Sequence, residues 1–384
     1  MNVSPSAAVR THANVPLVDL KAAHAEVAEE VEVGIADVMA RTAFVGGPEV
    51  AMFEQDYAGF VGVDHVIGVA SGTDALEVPL RALGVQPGDE VIVPANTFIA
   101  TAEAVVRAGG VPVYADVTQD ALLDPEAVEA AITARTVGIA PVHLYGQMPD
   151  MAAIEAIAAR HGLFILEDAA QAQGAAQDGR SAGSIGVAAG TSFYPGKNLG
   201  AYGDAGAVLT NDADLARRCR LMINHGSAVR YVHETFGFNS RLDTIQAVVL
   251  SAKLRRLADA NGQRRAAADR YAALLDGLDQ VLVPRAVPGN EHVWHLYVIQ
   301  VQDRDRVLAH LNANGVGAGL HYPVPLHLTP ALATARFQEG QFPVAERLAG
   351  SILSLPIFPQ ITIDQQQRVV ETLRNSFRAG GGPG

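Results

Sequence analysis

Five short apolar segments that alternate with helical patterns constrain the fold of this chain more than any other feature. They are His65–Ala70, Glu90–Pro94, Val111–Asp116, Val137–Val142 and Leu163–Asp168. Near-continuous apolar strands separated by helices are typical of a parallel sheet that is covered on both faces. The pattern therefore predicts an α/β fold with a mostly parallel sheet flanked by helices.

A second, smaller unit follows this pattern. The stretch Arg241–Leu275 is rich in Ala, Leu and Arg and predicts one long linker helix. After it, strand and helix patterns alternate again, beginning with the apolar run His295–Val301. We therefore expect a large domain over residues 15–245 and a small C-terminal α/β domain over residues 246–378 that includes the linker helix. We expect flexible termini at residues 1–14 and 379–384.

Composition excludes several classes of protein. Of the 384 residues, 49% are hydrophobic and 18% are charged, which favours a sizeable core over broad disorder. The net charge of −13 argues against nucleic acid as a partner. The chain lacks a signal-peptide pattern and a run of about 18 apolar residues, so we expect no membrane span. Its one cysteine, Cys219, suits a reducing cytoplasm.

Polar residues follow several of the predicted strands, at the sheet edge where α/β proteins bind ligands. Ser71-Gly72-Thr73 opens a helix, where free backbone amides and the helix dipole attract an anion. An ordinary N-cap explains the same residues. The chain contains neither G-x-G-x-x-G nor a P-loop motif, which disfavours a dinucleotide enzyme such as an NAD-linked oxidoreductase.

Two residues after later strands carry the most distinctive chemistry. Asp168 ends an apolar strand, where a carboxylate is costly unless it is paired. It is either part of a structural ion pair or the partner of a protonated ring nitrogen, as pyridoxal phosphate requires. Lys197 lies in a Pro-Gly turn and is either a surface lysine or the amine that forms a Schiff base with a carbonyl cofactor.

The remaining candidates are weaker when each is taken alone. Phe98 is either a core residue or a ring that stacks on a flat cofactor. Ser192 is either a loop serine or a hydrogen-bond donor to a phosphate. The local sequence around Asn239 indicates only a helix cap. The stiff loop His321–His327 is suited to wall a polyhydroxylated substrate. Its two histidines lack an obvious third ligand, so we expect no metal.

Taken together, six motifs in one order identify the chain as similar to the DegT/DnrJ/StrS family of pyridoxal-phosphate-dependent nucleotide-sugar aminotransferases. The motifs are Ser71-Gly-Thr-Asp-Ala-Leu76, Pro94-Ala-Asn-Thr-Phe98, Pro141-Val-His-Leu-Tyr-Gly-Gln147, Glu167-Asp-Ala-Ala-Gln171, Ser192-Phe-Tyr-Pro-Gly-Lys-Asn198 and Gly237-Phe-Asn-Ser-Arg-Leu-Asp243. The resemblance runs from about Val15 to the C-terminal helix. It implies a fold-type I transferase, similar to aspartate aminotransferase, with a mixed sheet in the large domain.

The resemblance also implies roles for individual residues. It assigns the Schiff base to Lys197 and the partner of the ring nitrogen to Asp168. It places the other contacts to pyridoxal 5'-phosphate at Gly72, Thr73, Phe98, Gln171, Ser192 and Asn239. Such enzymes are usually homodimers with shared active sites, and Asn239 matches a phosphate ligand that the partner subunit supplies. The segment His321-Tyr322 resembles the part of these enzymes that lies near the sugar.

The activity implied is transfer of an amino group from L-glutamate to a nucleotide-linked ketosugar, with pyridoxamine phosphate as the intermediate form of the cofactor. The run Tyr194–Asp204 looks most like members that aminate C3 of a dTDP-3-keto-6-deoxyhexose. Ala205 departs from the glycine that is common at its position. Two alternatives stay open: a C4 aminotransferase acting on a dTDP- or UDP-4-keto-6-deoxyhexose, and a non-catalytic regulatory protein that binds the cofactor.

Overall fold

The computed structural model describes residues 14–334 and 336–379. The helices in this part of the chain are α1 (Leu20–Ala25), α2 (Ala28–Arg41), α3 (Pro48–Val61), α4 (Gly72–Ala82), α5 (Ile99–Arg107), α6 (Pro125–Ala131), α7 (Met151–His161), α8 (Ala213–Met222), α9 (Thr244–Leu254), α10 (Leu257–Leu275), α11 (Arg304–Ala313), α12 (Pro343–Ser351) and α13 (Ile363–Ala379). The expected flexible termini, apart from Asn14 and Ala379, lie outside the described residues.

The strands are short, with five residues at most. They are β1 (His65–Val69), β2 (Glu90–Pro94), β3 (Val111–Ala115), β4 (Thr136–Ile139), β5 (Phe164–Asp168), β6 (Ala176–Gln177), β7 (Arg180–Ser181), β8 (Ala188–Ser192), β9 (Gly206–Thr210), β10 (Ser227–Val229), β11 (Val232–His233), β12 (Val281–Leu282), β13 (Asn290–Glu291), β14 (Tyr297–Val301) and β15 (Ile352–Leu355).

One seven-stranded sheet, in the order β1-β9-β8-β5-β4-β2-β3, forms the centre of the structure. Neighbouring strands from β8 to β3 are parallel, whereas β9 is antiparallel to both β1 and β8. The predicted fold class, a mostly parallel mixed sheet flanked by helices, is confirmed. Because β1 runs in the same direction as β8, the carboxyl ends of β1, β8, β5, β4 and β2 share one edge of the sheet.

Small residues let α4 lie directly against the middle of this sheet. A Cβ on Gly190 of β8 would lie 2.8 Å from the carbonyl oxygen of Ala75, and a Cβ on Gly206 of β9 would lie 2.4 Å from that of Ser71. Any larger side chain at either position would push the helix away from the strands. The N-terminus of α4 is thereby held at the sheet edge where the parallel strands end.

The C-terminal part of the chain forms a smaller antiparallel sheet in the order β12-β14-β15. Its core includes Tyr271 of α10 and Tyr297 of β14, both fully buried. The N-terminal segment joins this region, because Val15 forms a bridge with Val316 and the Ile357 amide donates to the Leu17 carbonyl at 3.2 Å. The division at residues 245 and 246 stays a prediction.

The single linker helix that we expected over Arg241–Leu275 is wrong in one respect. The structure has two helices there, α9 and α10, and the chain turns between them at Arg255 and Arg256. At this turn both arginines form ion pairs with Glu30 of α2. None of the helices in residues 14–334 and 336–379 combines the length and the hydropathy that a membrane span requires.

Candidate active site

The segment between β8 and β9 is a closed turn that carries Lys197. The Lys197 amide donates to the Tyr194 carbonyl at 2.8 Å, and the Ala201 amide donates to the Phe193 carbonyl at 2.8 Å. A Cβ on Gly200 would lie 2.3 Å from the Pro195 carbonyl oxygen, so only glycine fits. The turn therefore holds Lys197 in a defined place just beyond the carboxyl end of β8.

Lys197 lines a cavity of about 520 Å³ at the carboxyl edge of the sheet. The cavity brings together nine of the ten residues predicted for the site: Gly72, Thr73, Phe98, Asp168, Gln171, Ser192, Lys197, His321 and Tyr322. These residues come from the ends of different strands and from the C-terminal part of the chain. Motifs that are far apart in the sequence therefore meet at one cavity in the fold.

Asp168, at the end of β5, is a buried carboxylate held in one orientation. Its Oδ2 accepts a hydrogen bond from Thr101 Oγ1 at 2.7 Å, and its Oδ1 accepts from the Ala170 amide at 3.1 Å. Burial raises the pKa of Asp168, while the Thr101 hydroxyl and the charge of Lys197 act in the opposite direction. Because burial disfavours the charged form of this carboxylate, a cation beside it in the cavity would stabilise that form.

The side chain of Lys197 is partly buried, and burial lowers its pKa to about 8, against the opposing effect of Asp168. Within the described residues, no hydrogen bond or ion pair engages its Nζ atom. A lysine with a lowered pKa is neutral for a larger fraction of the time near neutral pH, and the neutral amine is the nucleophile. This lysine therefore has the properties of a reactive amine.

The part of the cavity that is formed by the N-terminus of α4 is suited to an anion. Ser71 is the N-cap of α4, because its hydroxyl accepts from the Asp74 amide at 3.1 Å. The amides of Gly72 and Thr73 make no hydrogen bond to any other described residue, and the N-terminal helix dipole adds to their attraction. A Cβ on Gly72 would lie 2.5 Å from the Ser192 Cβ, so glycine is required there.

Two aromatic rings and a side-chain amide also line the cavity. Phe98 is 52% exposed and packs at a tilt against Tyr322, with ring centroids 5.5 Å apart. Gln171 is buried; its Oε1 accepts from the Tyr145 amide at 2.8 Å, and its Nε2 donates to the Tyr322 hydroxyl at 3.0 Å. One N–H of this amide is left to donate to a ligand.

The two histidines of the loop His321–His327 lie in different environments. His321 lines the cavity, its Nδ1 lies 2.7 Å from Ser354 Oγ, and burial lowers its pKa to about 4. His327 is buried elsewhere and lies 3.1 Å from Glu346 Oε1. Among the residues described, no group of three or more His, Cys, Asp or Glu is placed to hold a metal ion.

Asn239 is the one predicted site residue that the structure does not bring to the cavity. It is exposed and forms an antiparallel bridge with Asn224, beside the hairpin of β10 and β11. Its expected contact lies in a partner subunit, so this role stays a prediction.

Several residues of the site were not predicted from the sequence. Thr101 follows Thr97 by one helical turn, and the two hydroxyls lie 3.2 Å apart. That spacing at the start of a helix was the available signal. His295 also lines the cavity, but it comes from the C-terminal part of the chain and nothing local marks it. Behind Asp168, the buried pair His143 and Glu167 was likewise missed as a pair, with Nε2 and Oε2 2.7 Å apart.

Comparison with known proteins gives a consistent result. The DegT/DnrJ/EryC1/StrS aminotransferase family matches residues 25–374. The pleiotropic regulatory protein of Geobacillus stearothermophilus is 46% identical over 368 residues, which cover 95% of this chain and 99% of that protein. The dTDP-3-amino-3,4,6-trideoxy-alpha-D-glucose transaminase of Streptomyces venezuelae is 47% identical over 361 residues, which cover 94% of this chain and 95% of that enzyme.

Two solved structures are similar over nearly the whole chain. The crystal structure of S. venezuelae DesV in complex with a ketimine intermediate has a TM-score of 0.92 and 47% identity, and the match covers 95% of this chain and 98% of that one. The structure of NtdA from Bacillus subtilis with bound cofactor PMP has a TM-score of 0.88 and 35% identity, with 96% of this chain and 86% of that one covered.

Proposed function

Because this chain belongs to the DegT/DnrJ/EryC1/StrS aminotransferase family, whose members depend on pyridoxal phosphate, we propose that it aminates a nucleotide-linked ketosugar. The proposed substrate is a dTDP-3-keto-6-deoxyhexose, the proposed site of amination is C3, and the proposed donor is L-glutamate. One observation carries the proposal: a single cavity joins the Lys197 amine and the Asp168 carboxylate to the N-terminus of α4.

The residues of the cavity fit pyridoxal phosphate. The free amides of Gly72 and Thr73 suit its phosphate, and the exposed face of Phe98 suits its flat ring. Asp168 suits a protonated ring nitrogen, because burial disfavours its charge until a cation pairs with it. A cavity of about 520 Å³ also lies within the usual range for small-molecule sites.

When bound, pyridoxal phosphate supplies a carbonyl that condenses with amines and a ring that accepts electrons from a carbanion. Asp168 keeps a proton on the ring nitrogen through the charge of its Oδ atoms. The Nζ atom of Lys197, once free, takes the proton from the α-carbon of the amino donor and returns a proton in the second half of the cycle. Its lowered pKa of about 8 leaves part of the population neutral and able to do so.

The choice of substrate is supported by two observations. The run Tyr194–Asp204 resembles that of C3 aminotransferases, and the printed name of the S. venezuelae relative describes a 3-amino sugar. The test is turnover of a panel of dTDP- and UDP-linked 3-keto and 4-keto sugars, with L-glutamate and other amino acids as donors. We expect 2-oxoglutarate to form with the dTDP-3-keto sugar. Activity on 4-keto sugars alone would overturn amination at C3.

A regulatory role is the second candidate, because the G. stearothermophilus relative is named a regulatory protein. A protein that only binds the cofactor has no need of a reactive lysine beside a buried carboxylate, and this chain has both. Purified protein should be yellow, and L-glutamate should shift its absorbance to that of the pyridoxamine form. Yellow protein whose spectrum does not respond to any amino donor would favour the regulatory role.

We propose a homodimer on the evidence of an exposed apolar hairpin. Four side chains of this region are unusually exposed for their type: Val229 at 64%, Tyr231 at 78%, Val232 at 55% and Phe236 at 98%. Exposed apolar patches mark contact surfaces. In the dimer the hairpin packs on the partner subunit, and Asn239 at its base contacts the phosphate bound there. Sedimentation of the wild type and of Phe236→Asp tests the dimer, and a monomeric wild type would contradict it.

Hybrid dimers test whether Asn239 acts across the interface. We expect Lys197→Ala and Asn239→Ala homodimers to be inactive or impaired. If Asn239 serves the partner's site, a mixed dimer has one intact site, and refolding the two variants together restores activity. If Asn239 serves its own site, mixing restores nothing.

Two further expectations belong to the proposal. We place the enzyme in the cytoplasm, where its one cysteine, the buried and free Cys219, remains reduced.

We also propose that residues 15–245 and 246–378 form separate domains. Limited proteolysis that releases fragments of these lengths would support the division, and cleavage only within the first unit would contradict it.

A further inference from the structure

His295 lies two residues before the start of β14 and lines the same cavity as Lys197. Its ring is 8% exposed, and its Nδ1 lies 3.2 Å from Oδ1 of Asn198, the residue that follows Lys197. Neither the sequence motifs nor the family resemblance assigns it a role. The hydrogen bonds of two nearby side-chain amides, Asn198 and Asn261, decide which ring nitrogen carries the proton.

Backbone carbonyls, which only accept hydrogen bonds, fix the orientation of two amides. Asn261 Nδ2 donates to the Gln173 carbonyl at 2.9 Å, so Asn261 Oδ1 is an acceptor. Asn198 Nδ2 donates to that Oδ1 at 2.9 Å and to the Val293 carbonyl at 3.0 Å. Both hydrogens of the Asn198 amide are therefore used, and its Oδ1 faces His295 as an acceptor.

The tautomer of His295 follows from this network. Because Asn198 Oδ1 accepts, His295 Nδ1 must carry a hydrogen and donate it. In a neutral imidazole the other nitrogen, Nε2, then holds a lone pair. No protein group in the described part of the chain donates to this Nε2. The ring thus presents one unused hydrogen-bond acceptor at the cavity.

The surroundings keep this ring neutral. Burial lowers the pKa of His295 well below its ordinary value, and three groups that face it lower it further: Lys197 from the turn, Arg264 from α10 and His321 from its loop. A carboxylate in the same place would hold the nearby lysine in its charged form. A neutral imidazole accepts a hydrogen bond without adding a charge.

We propose that His295 is a positioning residue whose Nε2 accepts a hydrogen bond from the free Lys197 amine when the pyridoxamine form of the cofactor occupies the cavity. A free amine has one lone pair and two hydrogens. Fixing one hydrogen on His295 limits the directions in which the lone pair points and favours the reacting carbon. The inference rests on the proposed function, because it takes Lys197 as the lysine that binds the cofactor.

The chain is well suited to a direct test, because it has three lysines, Lys21, Lys197 and Lys253. The holoenzyme in its pyridoxamine form, in which Lys197 is a free amine, is treated with an amine-acylating reagent at a series of pH values. Peptide mapping then gives an apparent pKa for each lysine. Lys253 is an internal reference, since burial lowers its pKa also to about 8 and it lies outside the cavity.

His295→Leu removes the acceptor, and His295→Gln retains one. Loss of an acceptor for the ammonium lowers the pKa of Lys197, so we expect a shift of about half a unit or more in the Leu variant. Lys253 should not shift. Both half-reactions, with donor and with sugar, should slow by about tenfold or more, because Lys197 moves protons in both. In the Gln variant, we expect part of the wild-type rate and a Lys197 pKa close to that of the wild type.

Three results would overturn the inference. One is an unchanged Lys197 pKa in a folded, slower Leu variant, which indicates a structural role. Another is loss of the sugar half-reaction alone, which would mean that His295 contacts the sugar substrate. The third is an Nε2-protonated ring in 15N spectra of labelled histidine, assigned by comparison with His295→Gln. A wild type that does not bind the cofactor contradicts the proposed function instead, so the two failures are distinguishable.

Discussion

Thr101 Oγ1 donates a 2.7 Å hydrogen bond to Oδ2 of Asp168, a residue that lines the cavity. Thr101→Val keeps the shape of the side chain and removes this donor. The pKa of Asp168, which burial already raises, should then rise further, and the protonated acid no longer holds a charged ring nitrogen.

For Thr101→Val we expect kcat to fall by about tenfold near neutral pH and to recover as the pH is raised, because higher pH restores the carboxylate. The measurement is a pH–rate profile from pH 6 to 9, with Thr101→Ser as the control that keeps the hydroxyl. A loss of equal size at every pH would show that the hydrogen bond does not act through the charge of Asp168.

Lys197→Ala should abolish turnover and covalent attachment of the cofactor, since the amine is the attaching group. Borohydride reduction followed by peptide mapping measures the attachment. Lys21→Ala, a change at an exposed lysine of α1, is the matched control and should label like the wild type. Label on Lys253 instead of Lys197 would contradict the assignment.

The pH dependence of the wild-type rate follows from the pKa of Lys197. Burial lowers the pKa of Lys197 to about 8, and the active form is the neutral amine. The rate of a half-reaction should therefore rise with pH through a midpoint near that value and level off above it. A rate that is flat from pH 7 to 9 would mean that another group limits proton transfer.

Phe98 and Phe193 differ in burial and should separate binding from folding. Phe98 is 52% exposed at the cavity, whereas Phe193 is 0% exposed in the core. Phe98→Ala should weaken cofactor binding by about fivefold, which corresponds to ~1 kcal/mol of stacking, and leave the melting temperature unchanged. Phe193→Ala should instead lower the free energy of unfolding by about 3–5 kcal/mol.

Fluorescence titration of the cofactor and thermal denaturation measure the two effects. Equal loss of melting temperature in both variants would place Phe98 in the core. Phe98→Tyr keeps the ring and should bind like the wild type.

Glu167, directly before Asp168, is fully buried and accepts hydrogen bonds from the amides of Gly183, Ile185 and Gly186. Burial alone would raise the pKa of Glu167, but His143 and these amides outweigh it and hold the pKa below its ordinary value. The stability that this carboxylate contributes is therefore present above its unfolded pKa and is lost as the pH falls through the folded one.

Glu167→Gln should lower the free energy of unfolding by about 3 kcal/mol at pH 7, because an amide N–H replaces an acceptor among donors. The difference in the free energy of unfolding between this variant and the wild type should become smaller in acid. Urea denaturation at several pH values measures it. Glu155→Gln breaks a partly exposed pair with Arg180, 2.6 Å apart, and should cost less than about 1 kcal/mol. Similar losses in both variants would show that burial does not decide the effect.

By itself, the sequence determined the fold class and identified nine residues that line one cavity. The strands Glu90–Pro94 and Val111–Ala115 lie where the apolar runs Glu90–Pro94 and Val111–Asp116 predicted them, since turn residues precede both runs. The Lys197 turn and the Ser71 cap are also local, because each depends on the conformation of a few consecutive residues. The order of the motifs then placed their residues at one sheet edge, as the topology of parallel strands requires.

Only the tertiary structure decided which side chains meet. The antiparallel direction of β9, the turn between α9 and α10, and the contacts Thr101–Asp168 and Asn198–His295 all depend on residues far apart in the chain. Hydrogen bonds across such distances leave no period or spacing in the sequence. They form because packing buries polar groups, and a buried polar group is stable only where the fold supplies its partner.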